Sequence, residues 1–341
     1  MDDALGSYGA DRNGLICGYR FAPGAAAVAI TSQTALAFLA AHEAGDSAAD
    51  QGFIWLHFNL AVSIAEKWLR QHLPLTDAFF DALGEGSRST RIDHLDGALL
   101  AIVNDVLYDF AFAPSETSTL WIQVSPLLVV TARRRPLRSI DRLRTAVKGG
   151  AAIASPVELL SHLFHDQADV LVNIVRTTTE RVDVIEDRLL AGRQDKDRVD
   201  LGALRRLLVR LQRLLAPEPA AFFRLLQKPP AWVAEADVRE LSQTSEEFAV
   251  VLRDMGVLLE RIKLVQEEIA ARVLEENSNS LFVLTVVTVV ALPINLISGL
   301  LGMNVGGIPL ADNGHGFGVV VVVVLSITTL AGWFAFRRQR R

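Results

Sequence analysis

The chain is short of the residues on which several protein classes depend. It has one cysteine, Cys17, in 341 residues, which excludes a disulfide framework and a metal cluster held by several thiolates. It also lacks the His-Glu-x-x-His pair of zinc peptidases, a glycine-rich phosphate-binding loop and a serine-hydrolase elbow. Residues 1–20 have no basic start and no apolar core, so no signal peptide is expected. Without a catalytic constellation, we do not expect an enzyme.

Positive charge is absent from a long C-terminal stretch, since no lysine or arginine lies between residues 273 and 336. This stretch holds two uncharged apolar runs, Leu281–Leu301 with 21 residues and Phe317–Phe336 with 20. The hydrocarbon core of a bilayer is about 30 Å thick and takes roughly 20 apolar residues in a helix. The two runs are therefore predicted to be transmembrane helices.

The charges that flank these runs predict the topology. The net charge of −5 divides into +4 in the tail 337–341, −1 from Asp312 between the runs, and −8 before them. Basic residues next to a span lie on the cytoplasmic side, which places the C-terminus in the cytoplasm. Two spans return the N-terminal part to the same side. We expect a multi-pass inner (plasma) membrane protein with both termini cytoplasmic and residues 302–316 outside.

The first 150 residues predict a mixed α/β domain. Stretches rich in isoleucine, valine and aromatic residues alternate with helical patterns, which indicates a sheet with helices on its faces. Strands are predicted at Leu15–Phe21, Phe53–Phe58, Ala98–Val106, Thr119–Val124 and Leu127–Ala132, and helices at Ser63–His72 and Leu75–Leu83.

From Pro156 onward the pattern is helical. Ser155 before Pro156 is a typical helix start, because the hydroxyl caps free N–H groups and proline fits the first turn. This helix is predicted to end at Leu190. A second helix is predicted from about Leu201 to Leu215, with stops at Pro217 and Pro219.

One long helix is predicted from about Ala234, after the break at Pro229-Pro230, to Leu301. At 1.5 Å per residue it would be about 100 Å long. Its first part carries an apolar stripe with spacings of three and four and their sums, as in a coiled-coil seam. A stripe of this length needs a partner surface, so we expect an oligomer. The stripe residues are Leu241, Phe248, Leu252, Met255, Leu259, Ile262, Ile269 and Val273.

These patterns divide the chain into seven segments. The predicted fold class is an α+β cytoplasmic domain followed by a long helical stalk and two C-terminal transmembrane helices. The segments are a cytoplasmic α/β domain at 1–150, a helical part at 151–233, a stalk helix at 234–280, a first transmembrane helix at 281–301, an outer loop at 302–316, a second transmembrane helix at 317–336 and a basic cytoplasmic tail at 337–341.

Within the first apolar run the same spacing continues, but most of its residues are polar or small. Such a line fits either close packing between membrane helices, which favours small and hydroxyl residues, or the wall of a pore. The line leads into the Gly302-Met303-Asn304 loop, which favours the pore. The predicted pore-lining residues are Ser278, Leu281, Thr285, Thr288, Leu292, Asn295 and Gly299.

Gly302-Met303-Asn304, at the end of the first of two C-terminal spans, resembles the signature of the CorA metal-ion transporter superfamily. The continuation Val305-Gly306-Gly307-Ile308-Pro309 is similar to the ZntB-type zinc transporter branch. Magnesium-type members usually continue with an aromatic and acidic residues, whereas this loop is neutral until Asp312. The strand Ile54–Phe58 and the helix end Leu214–Glu218 also resemble segments of the family.

The resemblance implies a CorA-like homopentameric funnel, with five stalk-and-pore helices around the ion path and the second spans outside. Gly302, Met303 and Asn304 would form an outer selectivity ring that holds a hydrated cation through carbonyl and amide oxygens. Such hard oxygen ligands suit permeation better than tight chelation. Asn295 would form a second polar ring. No cofactor is implied, because the divalent cation is cargo.

Two further groups are candidate cation sites. Glu275 and Glu276 lie just before the pore, where five copies would concentrate cations at the cytoplasmic mouth. His162, His165 and Asp166 lie close together on one helix, where imidazole and carboxylate could share a metal. The alternative for these three is a solvated helix face.

The basic cluster that begins at Arg133-Arg134-Arg135 raises the question of nucleic acid. No aromatic stacking pattern accompanies it, and the part of the chain before the spans is acidic overall. We therefore expect no nucleic-acid partner, and a structural or headgroup-proximal role for the cluster.

Together these features predict transport of divalent metal cations across the bilayer, with Zn2+ as the favoured cargo. One alternative is a magnesium/cobalt channel of the CorA branch. A second is a membrane-anchored coiled-coil signalling or scaffold protein, which would be a dimer without ion flux. Proton coupling would need His315 or a solvent-side carboxylate, since neither span contains Asp, Glu or His.

Overall fold

The structure is a computed structural model that describes residues 10–43, 52–85, 90–95, 97–113, 116–191, 197–303 and 314–339. The chain divides into two compact units, one that ends at Val265 and one that begins at Gln266. The first unit holds a β-sheet with the helices that pack on it. The second holds the two apolar helices.

A mixed β-sheet forms the centre of the first unit. Its strands, among the described residues, are β1 (Leu15–Phe21), β2 (Val28–Ala29), β3 (Phe53–Asn59), β4 (Arg91–Leu95), β5 (Ala98–Val106), β6 (Thr117–Val124) and β7 (Leu128–Arg133). Their order across the sheet is β2-β1-β3-β7-β6-β5-β4. β3 and β7 are parallel and the other neighbours are antiparallel.

The central strands are covered on both faces. Every residue of β3 is buried; Phe53 and Trp55 belong to the core on one side of the sheet, and Ile54, Leu56 and Phe58 to the core on the other. Successive side chains of a strand point to opposite faces. A nearly continuous apolar run is therefore the pattern that a strand covered on both faces requires.

Helices supply both covers. One core contains side chains of α1 (Ser32–Glu43), α2 (Ala65–His72) and α3 (Asp77–Gly84). The opposite core contains side chains of α4 (Arg138–Lys148), α5 (Pro156–Leu190) and α7 (Pro217–Gln227). Between α5 and α7 in the chain lies α6 (Asp197–Leu215).

The predicted start and end of α5 are confirmed. Pro156 is its first residue, and the Ser155 hydroxyl accepts a hydrogen bond from the Glu158 N–H at 2.9 Å. The predicted end of the second helix at Leu215 is confirmed, although α6 begins four residues earlier than predicted and Pro217, predicted as a stop, begins α7. Proline has no N–H to donate, and the first turn of a helix does not need one.

The five predicted strands are present with their ends within two residues of the predicted ones. β4 and α4 were not predicted. β4 reads Arg-Ile-Asp-His-Leu, and its polar composition hides a short edge strand. α4 looks like a run of basic residues, but Ile140, Leu143 and Val147 lie on one side and are buried. α1 and the two-residue β2 were also missed; their sequences lack a clear helical or strand periodicity.

The long helix α8 (Glu235–Leu301) begins one residue after the predicted start. In the first unit the buried residues of α8 are spaced by three and four. This side of the helix packs against other helices of the same chain. Arg261 of α8 forms ion pairs with Asp183 and Glu186 of α5, and Gly256 lies against Gln212 of α6. The buried residues on this side are Leu241, Thr244, Phe248, Val251, Met255, Leu258, Ile262 and Val265.

This packing corrects the argument that the apolar stripe requires a second chain. The stripe is covered up to Val265 by helices of the same chain, so by itself it does not indicate an oligomer. The register also differs in detail, since Leu252 and Leu259 are half-buried whereas Val251 and Leu258 are buried.

The second unit contains the end of α8 and the helix α9 (Gly316–Gln339). By length and composition α8 is apolar enough to cross a membrane, and α9 has a shorter apolar part, Gly316–Leu330. The predicted spans 281–301 and 317–336 lie within these two helices.

Candidate functional site

The residues predicted to line a pore lie along one side of α8 and are exposed in the single chain. They are spaced by three and four residues between Ser278 and Gly299, so they form one line on a helix with 3.6 residues per turn. A second line, about half a turn away, is partly buried. It contains Phe282, Val286, Val290, Ile294, Ile297 and Leu301.

The partly buried line has a counterpart on α9. Among the residues of α9 whose burial the structure describes, the half-buried positions are four residues apart. They are Val320, Val324, Thr328 and Gly332. Because the two helices form one compact unit, we infer from the burial pattern that they pack through these two lines. The polar line of α8 is therefore turned away from α9 and left uncovered by its own chain.

The polar groups on the uncovered line differ in how they are satisfied. The Thr285 hydroxyl donates to the Leu281 carbonyl, and the Thr288 hydroxyl donates to the Leu284 carbonyl, each at 2.8 Å. Because each hydroxyl proton is donated within α8, it needs no partner from another chain. The lone pairs of the two hydroxyl oxygens remain available on the outer side of the helix. The Asn295 amide has no hydrogen-bond partner among the described residues. In a bilayer such an amide requires water or another chain.

The helix ends at the candidate selectivity motif. The Gly302 N–H donates to the Ser298 carbonyl at 2.9 Å, which closes the last turn. A Cβ atom at Gly302 would lie 3.0 Å from that same carbonyl oxygen, so glycine allows the close approach. Met303 is exposed. Asn304, the third residue of the motif, and Asp312 lie outside the described residues.

Glu275 and Glu276 are exposed on α8, one turn before the polar line begins. The nearest basic residue before them, Arg272, donates to Glu268 at 2.7 Å. The chain has no lysine or arginine from residue 273 to 336 that could neutralise the two carboxylates locally. This end of the line is therefore acidic.

Two of the three candidate metal ligands on α5 each face a group on a different helix. His165 Nδ1 lies 3.0 Å from Glu247 Oε2 of α8, and Asp166 Oδ1 lies 3.2 Å from Arg142 Nε of α4. In the part of the chain that the structure describes, no three His, Cys, Asp or Glu side chains are grouped to hold a metal. The structure therefore does not bring His162, His165 and Asp166 together as a ligand set.

The arginine run has a structural role at its first residue. Arg133 is fully buried, and its Nε–H donates to His57 Nε2 at 3.0 Å. Thr131 joins the same network, since its hydroxyl lies 2.8 Å from His57 Nδ1 and accepts the Trp55 indole N–H at 2.9 Å. Burial, followed by the charge of Arg133, holds the pKa of His57 well below its ordinary value.

Two buried acidic residues were not predicted from the sequence. Asp105 of β5 accepts the Ser139 N–H at 2.9 Å, and burial raises its pKa to about 6. Glu218 of α7 accepts the Thr90 hydroxyl at 2.8 Å, and burial raises its pKa well above the ordinary value. A carboxylate within the largely apolar strand Ala98–Val106 is a signal that could have identified Asp105.

A comparison with protein families identifies the chain. Residues 50–338 match the family described as CorA-like Mg2+ transporter protein. The chain belongs to this family. CorA-like proteins are divalent-cation transporters, so the chain is a transporter of that class and not an enzyme, as predicted.

Curated relatives cover most of this CorA-like chain. The divalent cation transporter CmaX of Pseudomonas aeruginosa is 28% identical over 289 residues, which cover 84% of this chain and 87% of the relative. The zinc transport protein ZntB of Pectobacterium atrosepticum is 23% identical over 285 residues, with coverage of 84% and 87%.

Solved structures confirm the predicted fold class. The full-length CmaX protein superposes with a TM-score of 0.78 and 26% identity, and covers 97% of this chain and 99% of its own. The CorA magnesium transporter of Methanocaldococcus jannaschii superposes with a TM-score of 0.76 and 18% identity, with coverage of 94% and 97%. An α+β domain, a long helix and a second C-terminal helix are thus shared with this CorA-like chain.

Proposed function

We propose that this chain forms a homopentamer in the inner membrane that conducts divalent cations, Zn2+ in particular. Five copies of α8 would surround the ion path, and five copies of α9 would form the outer ring. Both termini would be cytoplasmic, with residues 302–316 outside. Glu275 and Glu276 would lie at the cytoplasmic end of the path. Gly302-Met303-Asn304 would lie at its outer end.

The observation that carries the proposal is the uncovered polar line on α8. Its side chains are exposed in the single chain, and the Asn295 amide has no hydrogen-bond partner among the described residues. In a bilayer these groups need other copies or water, and a ring of chains around a wet path supplies both. A single-chain anchor would leave the Asn295 amide in lipid.

The line also has the chemistry that a hydrated divalent cation requires. The outward lone pairs of Thr285 and Thr288 and the Asn295 amide oxygen are neutral ligands that can hold the water shell of a cation. Glu275 and Glu276 would supply negative charge at the cytoplasmic mouth and raise the local cation concentration. Tight binding by charged ligands inside the path would slow release.

The preference for Zn2+ over Mg2+ is supported by two features. The chain is similar to zinc transport proteins of the ZntB type over 84% of its length, and its outer loop is neutral until Asp312. A magnesium or cobalt channel is the second candidate, which the description of the family favours. The coiled-coil scaffold loses its main support, because the α8 stripe is covered within one chain.

Cation uptake into proteoliposomes that contain the purified full-length protein tests the proposal. We expect faster entry of Zn2+ than of Mg2+ at equal concentrations, and a particle of five times the mass of one chain. Asn304→Ala should abolish selective uptake, and Asn295→Leu should reduce it at least tenfold. Ser326→Ala is the matched control, since this α9 hydroxyl bonds to the Val322 carbonyl of its own helix.

The outcomes separate the candidates. Faster entry of Mg2+ than of Zn2+ would show that the chain is a magnesium channel. The assignment of the pore would not change. Flux and selectivity that are unchanged in both asparagine variants would contradict the pore assignment. A dimer without flux would favour the scaffold.

A further inference from the structure

An open pocket of about 750 Å³ lies in the first unit, away from the proposed ion path. One wall is the exposed side of α4, whose opposite side packs into the core through Ile140, Leu143 and Val147. Residues 138, 141, 142, 145 and 148 of α4 follow the helical spacing that puts them on one face. The helix therefore presents a polar face to the pocket.

The lining of this pocket is positively charged in a chain whose net charge is −5. α4 contributes four cations, and the carboxylates in the lining are Asp141 and Asp166. Such a local excess attracts anions. The four cations are Arg138, Arg142, Arg144 and Lys148.

Two of the four cations form no ion pair with a described residue. Arg142 is paired with Asp166 at 3.2 Å and with Asp169 at 2.8 Å, and Arg144 is paired with Asp141. Among the described residues, Arg138 donates to the backbone carbonyls of residues 108 and 110, and these are neutral. Lys148 is exposed and forms no ion pair with a described residue.

Positive potential also extends behind the pocket. The buried Arg133 and the lining residue Arg144 both contribute to the low pKa of His57, after the effect of burial. Because a buried charge is screened less by salt than an exposed one, this contribution persists at physiological ionic strength.

Two tyrosines complete the lining. Tyr19 is held in place by its stacking on Trp55, with ring centroids 5.8 Å apart, and Tyr108 is 54% exposed. Aromatic rings beside a basic wall can bind a planar ring as well as a phosphate chain. The volume lies within the range of about 300–1,000 Å³ that is typical of small-molecule sites.

We propose that this pocket binds a phosphate-bearing small molecule of nucleotide size. Arginine and lysine bind phosphate through charge-assisted hydrogen bonds, and Arg138 and Lys148 have charge available for it. Tyr108 contacts the organic part of the ligand. The site would allow a soluble phosphorylated metabolite to bind the cytoplasmic domain of the transporter.

Fluorescence anisotropy of a methylanthraniloyl-labelled ATP analogue, titrated with the full-length protein in EDTA, tests this site. EDTA removes the divalent cargo from the measurement. We expect saturable binding that inorganic pyrophosphate displaces. Lys148→Gln should weaken binding about tenfold, the size of one charge-assisted hydrogen bond. Tyr108→Ala should weaken binding of the analogue and leave binding of pyrophosphate unchanged.

Arg176→Gln is the matched control, because it removes an exposed positive charge that pairs with Glu180 outside the pocket. Its affinity should equal that of the wild type. Three results would overturn the proposal: no saturable binding, equal loss in Lys148→Gln and Arg176→Gln, or displacement by vesicles of phosphatidylglycerol but not by pyrophosphate.

Discussion

The two stretches of α8 carry the same spacing and have different surroundings. From Glu235 to Val265, residues three and four apart are apolar and are covered by α5 and α6 of the same chain. From Gln266 to Leu301, the line from Ser278 onward is exposed, and the opposite side from Phe282 to Leu301 is no more than half-buried. The same helix therefore has one stretch whose buried face packs within its own chain and one stretch whose polar face is not covered by its own chain.

The difference shows that periodicity identifies a face but not what covers it. Spacings of three and four follow from 3.6 residues per turn, whatever the partner is. The chemistry of the line distinguishes the two cases. Leucine, phenylalanine and methionine suit a dry contact with other helices, whereas threonine, asparagine and glycine in an apolar helix suit close contact or a wet path.

The covered stretch should be sensitive to loss of volume. Phe248 is fully buried, so Phe248→Ala should lower the free energy of unfolding by about 3–5 kcal/mol. Denaturant unfolding of the purified protein, followed by circular dichroism, measures this change. Val257→Ala on the exposed side of the same stretch is the control and should cost less than about 1 kcal/mol. Equal losses would mean that the stripe is not the packing face.

pH should also separate the two regions, because residues 277–301 contain no titratable side chain. Asp105 in the first unit is fully buried, and its pKa is raised to about 6 from 3.8. Folding therefore favours its protonated form, and this contribution to stability is present below pH 3.8 and lost as the pH rises through 6. Asp105→Asn should gain about 2 kcal/mol relative to wild type between pH 4 and pH 7.5.

Unfolding of both proteins at a series of pH values measures this gain. Asp93→Asn on the edge strand β4, where the side chain is 42% exposed, is the control and should follow the wild-type pH profile. A constant difference between Asp105→Asn and wild type across the range would contradict the raised pKa.

The ion pairs that tie α8 to α5 should contribute less than the apolar contacts. Arg261 bridges Asp183 and Glu186 while it is still partly exposed, so Arg261→Ala should cost about 1 kcal/mol. Raising the salt concentration should reduce that cost, since exposed charges are screened. Arg176→Ala, which removes an exposed pair within α5, is the control and should cost about 0.3 kcal/mol.

The smallest effect on single-chain stability is expected in the uncovered stretch. Leu284→Ala, at a position 63% exposed, should change the unfolding free energy of dissociated chains in detergent by about 0.5 kcal/mol or less. Leu258→Ala makes the same change at a position 4% exposed and should cost about 2–5 kcal/mol. Similar costs at both leucines would remove the distinction between the two stretches.

Much of the fold could be predicted because its signals are local. The cap at Ser155, the apolar runs of β3 and β5 and the unbroken helical pattern after Pro230 each act over a few residues or turns. β4 and α4 were missed because contacts distant in the chain decide them. β4 pairs with β5, and α4 is held by Ile140, Leu143 and Val147 against the sheet.

The candidate site was predicted as a line of residues rather than as a structure. The residues from Ser278 to Gly299 were found from spacing and polarity, and the structure adds that they lie opposite the side that packs on α9. The proposed ligand set on α5 shows the limit of spacing. His165 and Asp166 are adjacent in sequence, but Glu247 and Arg142 face them from two other helices.

The sequence by itself determined the class of the protein: a mixed α/β domain, one long helix, two apolar helices and a Gly-Met-Asn motif between them. These features depend on periodicity, composition and charge, which each segment carries alone. Only the tertiary structure decided which faces are covered. It buried the stripe of α8 against α5 and α6, left the polar line open, and assembled the basic pocket beside α4, because packing joins residues that lie far apart in the chain.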